Sequence, residues 1–561
     1  MVTIRVGLVS LLTLCVAGPA WGQSRIVPDD TLGAERSLVF ENVGGTPNEV
    51  IDGGARRGQN LFHSFEAFNV SEGRGAFFFS PDGLENIFSR VTGGNASNIL
   101  GMLGTFAFGG ATPNLYLMNP NGILFGSNSS LDVGGSFAAV TADGIQFGER
   151  GVFSAARPAV PSGLLTVDPS AFLFSGAAGE IVNRSVVPDG LRVPNGENLL
   201  LLGRDVEVRG DLSAFGGRID VGAVGTVSAV GLRADGALTF PQQLERGDVI
   251  FTDGALVRVA LDDAGDIAVT AQNINILEGS VLAAGIAIDS GKAQSQAGDI
   301  TLDASEAVRV VRGDDAPGIQ NIVSQNVTGS AGNIEIMANV LEVRGGAGLV
   351  ASTLGQGNAG SVIISAADQV TFAGTSEDGQ FISGASSQVA ETGIGAGGNI
   401  EITTGVLEMR GGAQLAASTS GQGDAGSVII SATDRVTFTG TSADGQLGSA
   451  ALSRVNAAGN GTGGDIEITT GVLEVRGGAQ LVASTRGQGG AGNVIISATD
   501  RVTFADRSEG GQLGSGAFST VEETSVGAGG DIEITTGVLE VRGGAQLAAS
   551  TLGQGNAGSV I

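Results

Sequence analysis

Apolar and polar positions alternate in short runs through the second half of the chain. In one run Ile400 and Ile402 fall on one side and Glu401 on the other, and just beyond it Leu407 and Met409 oppose Glu408 and Arg410. Alternation with a period of two marks a strand with one buried face. The runs are short and are separated by Gly, Asn and Asp, which favour tight turns. They predict three short strands per turn of chain, at 400–403, 406–410 and 414–418 and then at 428–431, 435–439 and 446–450. After the first 22 residues no segment carries a capped 3.6-residue apolar period, so very little helix is expected.

The alternation itself repeats. Ile334, Ile400, Ile466 and Ile532 open the same phrase at intervals of 66 residues, running through IEI, VLEVRGGAQL, AST, GQG, VIIS and VTF with small changes. A fixed period of this size means stacked similar units, each covering its neighbour's apolar side. Inside one unit, 400–402 (IEI) is echoed by 428–430 (VII), so a unit holds two turns. Stacking then sets Glu401 over Ile429 rather than over another glutamate, which spaces like charges two turns apart. The triplets at 265–267, 298–300 and 332–334 show the same unit less cleanly.

Composition divides the chain further. All 13 prolines lie at or before Pro317, and 16 of the 24 phenylalanines lie between Phe40 and Phe174. We therefore expect four segments: a leader at 1–22, a first domain at 23–205, a degenerate coil at 206–331, and a regular array at 332–561 that is incomplete at its end. The leader has Arg5, an apolar stretch at 6–18 and the small-x-small site Ala20-Trp21-Gly22, the features of a secretory signal. Cys15 is the only cysteine, so the mature chain has no disulfide and relies on burial and hydrogen bonding. The net charge of −28 argues against nucleic acid or anionic lipid as a partner. No later apolar run is long enough for stable membrane insertion.

Three segments of the first domain carry a resemblance: 58–65 (GQNLFHSF) with Phe68-Asn69-Val70, 90–101 (RVTGGNASNILG) and 115–126 (LYLMNPNGILFG). They resemble the haemagglutination-activity, or two-partner secretion, domain of filamentous-haemagglutinin-like exoproteins, in the form common in cyanobacteria. The likeness is close over about 30–145 and looser in the repeats. Ala96 departs from the proline common in relatives. The resemblance implies an all-β fold, a single-stranded right-handed parallel β-helix of the pectin-lyase-like kind. It also implies export through an outer-membrane β-barrel transporter with POTRA domains, a place outside or on the outer surface of a Gram-negative-type bacterium, and adhesion to a cell-surface or polysaccharide receptor. Its transporter-recognition positions would be Asn119, Pro120, Asn121, Gly122 and Ile123, with Asn95, Ser97 and Asn98 from the first asparagine motif.

The local chemistry of 119–123 can be read without the resemblance. Pro120 fixes φ and pushes Asn119 towards an extended conformation, and Asn121-Gly122 suits a tight turn between two strands. Such a motif either only shapes the turn or also forms a recognition surface.

Catalytic chemistry finds little support. His63 is the only histidine, so no His/Cys metal cluster exists and any Ser-His-Asp triad would need it, inside a stretch that reads as packed. Asp262-Asp263 and Asp314-Asp315 are the adjacent aspartate pairs of the degenerate coil and read as solvated turns. No calcium nonapeptide and no phosphate loop is present. The expected protein has no catalytic residues, cofactor or metal, and is not an enzyme. Two rival functions are a carbohydrate-active β-helix enzyme and the stalk of a contact-dependent toxin whose C-terminal domain is missing.

Overall fold

The computed structural model describes residues 22–107, 112–176, 178–261, 265–287, 292, 295–312 and 318–561. The leader and both aspartate pairs lie outside the described residues, apart from Gly22. One column of apolar side chains runs through the molecule: Leu61, Ile87, Leu115, Phe137, Leu199, Ile219, Ile267 and Ile300, then Ile334, Val362, Ile400, Val428, Ile466, Val494, Ile532 and Val560. Each is the direct parallel partner of the next. Sixteen levels at ~4.8 Å make a stack about 70 Å long.

A second column starts at Ser97 and continues through Ile123, Ile181, Val206, Val249 and Ile274. A third face is a 12-stranded parallel sheet, and the three faces enclose one core in which Ile400, Leu407 and Leu415 are fully buried. The chain is a single-stranded parallel β-helix. Its helical content among the described residues is two three-residue 3-10 turns, Gly33–Glu35 and Val43–Gly45.

The expected strands need two corrections. The first two strands of each half-unit run on as one bent strand, Ile400–Arg410 or Val428–Thr439, because the corner between them is a bulge and not a turn. The last strand of the second half-unit is Ala450–Leu452 rather than 446–450. Residues 441–448 leave the coil as a small hairpin instead, closed by an antiparallel bridge between Thr441 and Gly448. Its turn is held by Asp444, which accepts from the Gln446 amide at 3.1 Å, and by Gly445 at φ +73°. This excursion makes the second half-unit the longer one.

Between rungs, polar side chains set the register. Glu401 pairs with Ile429, and Ile429 with no second glutamate until Glu467. Along one corner each rung's side chain accepts from the backbone N–H of the next. Asn333 accepts from Ser361 at 2.9 Å, Ser361 from Asn399 at 3.1 Å, Asn399 from Ser427 at 3.0 Å and Ser427 from Asp465 at 3.1 Å. Every bond in this relay points the same way, so a rung that is already formed offers acceptors to the one that follows.

The first rungs are capped and buttressed. Arg25–Pro28 closes the stack antiparallel to Asn60–Asn69. Arg90, 1% exposed, ties this cap to a distant loop by donating to Thr31 Oγ1 at 2.8 Å, Ser64 Oγ at 2.9 Å and the carbonyls of Ser154 and Ala159, both at 2.9 Å. Burial pulls its guanidinium down to about 10, against the attraction of Asp29. Residues 144–174 leave the coil and join 228–239 in a five-stranded antiparallel sheet that covers Phe62, Phe88 and Tyr116.

Candidate functional site

The eight positions singled out in the sequence meet on neighbouring rungs. Asn114–Met118 belongs to the first column and Ile123–Phe125 to the second, and 119–122 is the corner between them. The corner is a four-residue turn in which the Gly122 amide donates to the Asn119 carbonyl at 3.1 Å. Pro120 sits at its second position, where a φ near −65° is required. Gly122 adopts φ +116°, and a Cβ there would lie 3.0 Å from the Glu180 carbonyl, so a side chain is strained on both counts.

Asn119 is fully buried, and its amide is used completely. Its Nδ2 donates to the Asn95 carbonyl at 3.0 Å and to Ser97 Oγ at 2.9 Å, while its Oδ1 accepts from the Asn121 amide and from Asn121 Nδ2, both at 3.0 Å. Asn121 reaches the Gly93 carbonyl at 2.7 Å. The 93–98 corner is thereby locked onto the 119–122 corner. Asn98 lies on the outer side of Ser97–Ile99, where its backbone and side-chain nitrogens donate to Asn69 Oδ1 at 2.9 and 3.3 Å.

Burial sorts the eight residues by role. Asn119, Ser97, Gly122 and Ile123 are buried, whereas Asn95, Asn98 and Asn121 are exposed and Pro120 is half-buried. The buried four hold the corner's shape. The exposed three form an asparagine surface on two adjacent rungs.

Sequence reasoning missed the third layer. Gly179 donates to the Pro120 carbonyl at 2.7 Å, and the Glu180 carbonyl accepts from Ile123 at 3.0 Å. A Cβ on Gly179 would come within 2.3 Å of the Asn121 carbonyl carbon, so only glycine fits. Nothing local marks it, since the chain between is spent in the 144–174 excursion.

His63 is fully buried, with Nδ1 3.1 Å from Ser37 Oγ, and burial drives its imidazole down to about 3. It is a neutral packed ring, as the sequence suggested. Among the described residues no group of three or more His, Cys, Asp or Glu side chains could hold a metal, and no helix is long and apolar enough to cross a membrane.

Residues 24–269 match the TPS secretion domain family. The heme/hemopexin-binding protein of Haemophilus influenzae is 30% identical over 136 residues, which are 24% of this chain and 14% of that protein. Among solved structures, the HMW1 secretion domain from Haemophilus influenzae is 14% identical and aligns over 92% of this chain and 99% of its own, with a TM-score of 0.36. The filamentous hemagglutinin secretion domain is 17% identical, over 69% of this chain and 98% of its own, with a TM-score of 0.28. The family match takes in the cap, the asparagine corner and its glycine layer together, so residues 24–269 are similar to a TPS secretion domain.

Proposed function

We propose that this protein is exported by two-partner secretion and works outside the cell as an adhesive rod, without enzymatic activity. The single observation that carries the reading is the TPS secretion domain at the head of an unbroken coil. In this reading an outer-membrane β-barrel transporter recognises the domain through its periplasmic POTRA domains. The docking surface is the exposed trio Asn95, Asn98 and Asn121, presented by the buried Asn119, Ser97, Gly122 and Ile123 with Pro120 at the turn. The absence of cysteine after the leader supports passage as an unfolded chain. The one-way relay of hydrogen bonds between rungs supports folding that starts at the exported end.

We keep 23–205 as the export domain, 206–331 as a degenerate coil and 332–561 as the repeating shaft, while the family match reaches to residue 269. A repeated shaft suits many weak contacts with a cell-surface or polysaccharide receptor, because linked contacts multiply avidity. The heme/hemopexin binding in the relative's name belongs to that protein. The test is co-expression with a two-partner transporter in a Gram-negative host. The full chain should reach the medium or the outer surface only when the transporter is present, and should stay inside once 24–269 is deleted. Export without the transporter contradicts the proposal.

A further inference from the structure

The repeat is copied less faithfully on one face of the shaft. In the half-unit that carries the hairpin, the strand on the third face is Gly384–Ser386, Ala450–Leu452 or Gly516–Val521. The inward positions here recur unchanged. Ala385, Ser387 and Val389 return as Ala451, Ser453 and Val455 and as Ala517, Ser519 and Val521, all buried. The outward positions between them all change, from Ser386, Gln388 and Ala390 to Leu452, Arg454 and Asn456, and then to Phe518, Thr520 and Glu522. Outward residues of the first face do not, since Ile363 and Ser365 return as Ile429 and Ser431 and as Ile495 and Ser497. Change concentrates on one outer face while the scaffold beneath it is copied, the pattern of a repeat protein's binding side.

Register gathers the changed residues into one patch. Leu452, Val482 and Phe518 are successive partners in one row and form a small apolar cluster with Ala416 and Ala450. Leu452 and Val482 are closed off, at 8% and 6% exposure, whereas Arg454 and Phe518 are half-buried and Arg486 is exposed. Arg454 thus stands beside a closed apolar bed. Its guanidinium makes no hydrogen bond or ion pair among the described residues. Burial pulls it down to about 10; Arg486 adds to the pull and Glu522 opposes it. Glu522 is already engaged by Arg486, at 3.2 Å. A cation partly withdrawn from water is left without a bonded anion.

We propose that this face binds a carboxylate-bearing sugar residue of a sparsely charged glycan, with Arg454 as the anchor. A carboxylate is the planar two-point partner that the guanidinium lacks. Their attraction is stronger where water is partly excluded. Phe518 offers a half-buried ring on the same face for the apolar side of an adjoining sugar. A peptide is disfavoured, since Ala450–Leu452 is paired on both sides and leaves no free strand edge to extend. A densely charged polyanion is disfavoured by Glu522, by the exposed Glu523 and by the net charge of −28. The inference deepens the adhesive reading and rests on it for the source of the glycan.

The test titrates the folded full chain at low salt, by saturation-transfer NMR. The probes are methyl glycosides of glucuronic, galacturonic and N-acetylneuraminic acid, with methyl glucoside, acetate and hexaglutamate beside them. At least one acidic glycoside should bind saturably and more tightly than methyl glucoside or acetate, and the preference among the three identifies a uronic or a sialic acid as the occupant. Arg454→Gln and Arg454→Thr install the residues of the other two units, Gln388 and Thr520, so both should leave the melting temperature unchanged and weaken binding about tenfold or more. Arg410→Gln removes an exposed arginine from the second face and should leave binding as it was. Binding is read on the folded chain, so failure of export in the co-expression test leaves this result intact. No binding of any acidic glycoside, binding of acetate or hexaglutamate as tight as that of the glycosides, equal weakening by Arg410→Gln, or unchanged binding by the folded Arg454 variants would overturn the proposal.

Discussion

Asn119 donates from Nδ2 to the hydroxyl of Ser97 on the preceding rung, at 2.9 Å, and both side chains are fully buried. Two turns of chain are joined there by side chains that water does not reach. Truncating one of them leaves buried donors and acceptors unanswered, at a cost of about 1–3 kcal/mol. Asn119→Ala should therefore lower stability by that amount and reduce export. Asn95→Ala removes an exposed side chain and should leave stability within about 0.5 kcal/mol while lowering export. Denaturant melts beside a secretion assay separate the two effects. Full export of a normally stable Asn95→Ala, Asn98→Ala, Asn121→Ser triple variant would remove the docking surface proposed above.

Gly179 supports the same corner from the other side. A methyl group there meets the backbone of Asn121 and Gly122 at 2.3 Å, which no rotamer can relieve. Gly179→Ala should cost on the order of 2 kcal/mol or more by overpacking, although the residue lies far from the motif in sequence. A thermal melt unchanged by this substitution would mean that the third layer does not exist.

His63 makes stability depend on pH in a defined direction. Its folded pKa is about 3, whereas an unfolded chain takes up the proton near pH 6.5. Its contribution is therefore complete above pH 6.5 and is lost progressively as the pH falls towards 3. At pH 4 the loss is on the order of 3 kcal/mol. Urea melts of wild type and His63→Gln should differ in slope with pH over this window. Because the chain holds one histidine, its single imidazole NMR signal should also stay neutral at pH 5.

The alternation of Glu401, Ile429 and Glu467 in one row predicts a charge effect. Ile429→Glu places three carboxylates at successive rungs, ~4.8 Å apart, where each new pair costs about 1 kcal/mol in water. The variant should melt lower at low ionic strength and regain part of the loss in 0.5 M salt. Equal loss at both ionic strengths would assign the effect to the missing isoleucine instead.

The repeating shaft was legible because each rung reports its own position. The period-two pattern told inward Ile402 from outward Glu401, and the 66-residue repeat set the rung order. The bent strands were harder to see, since the bulge after Thr404 keeps the strand running through a corner that Gly405 marked as a break. The strand expected at 446–450 overlaps the hairpin at 441–448, whose turn is built on Asp444-Gly445 and puts Gln446 on the returning arm. At the candidate site, the turn at 119–122 followed from proline and glycine chemistry alone. The burial of Asn119 and the role of Gly179 did not, since both depend on rungs contributed from elsewhere in the chain.

The register of the coil is the claim on which all of this depends, and a disulfide scan tests it most directly. The chain has no cysteine beyond Cys15, so pairs can be introduced without interference. Direct partners on adjacent rungs fall within the 4.4–6.8 Å Cα separation that a disulfide spans, and partners two rungs apart do not. The Glu401→Cys, Ile429→Cys pair should oxidise readily, and the Glu401→Cys, Glu467→Cys pair should remain as free thiols. Cross-linking of the second pair in place of the first would contradict the two-turn unit and the stack built on it.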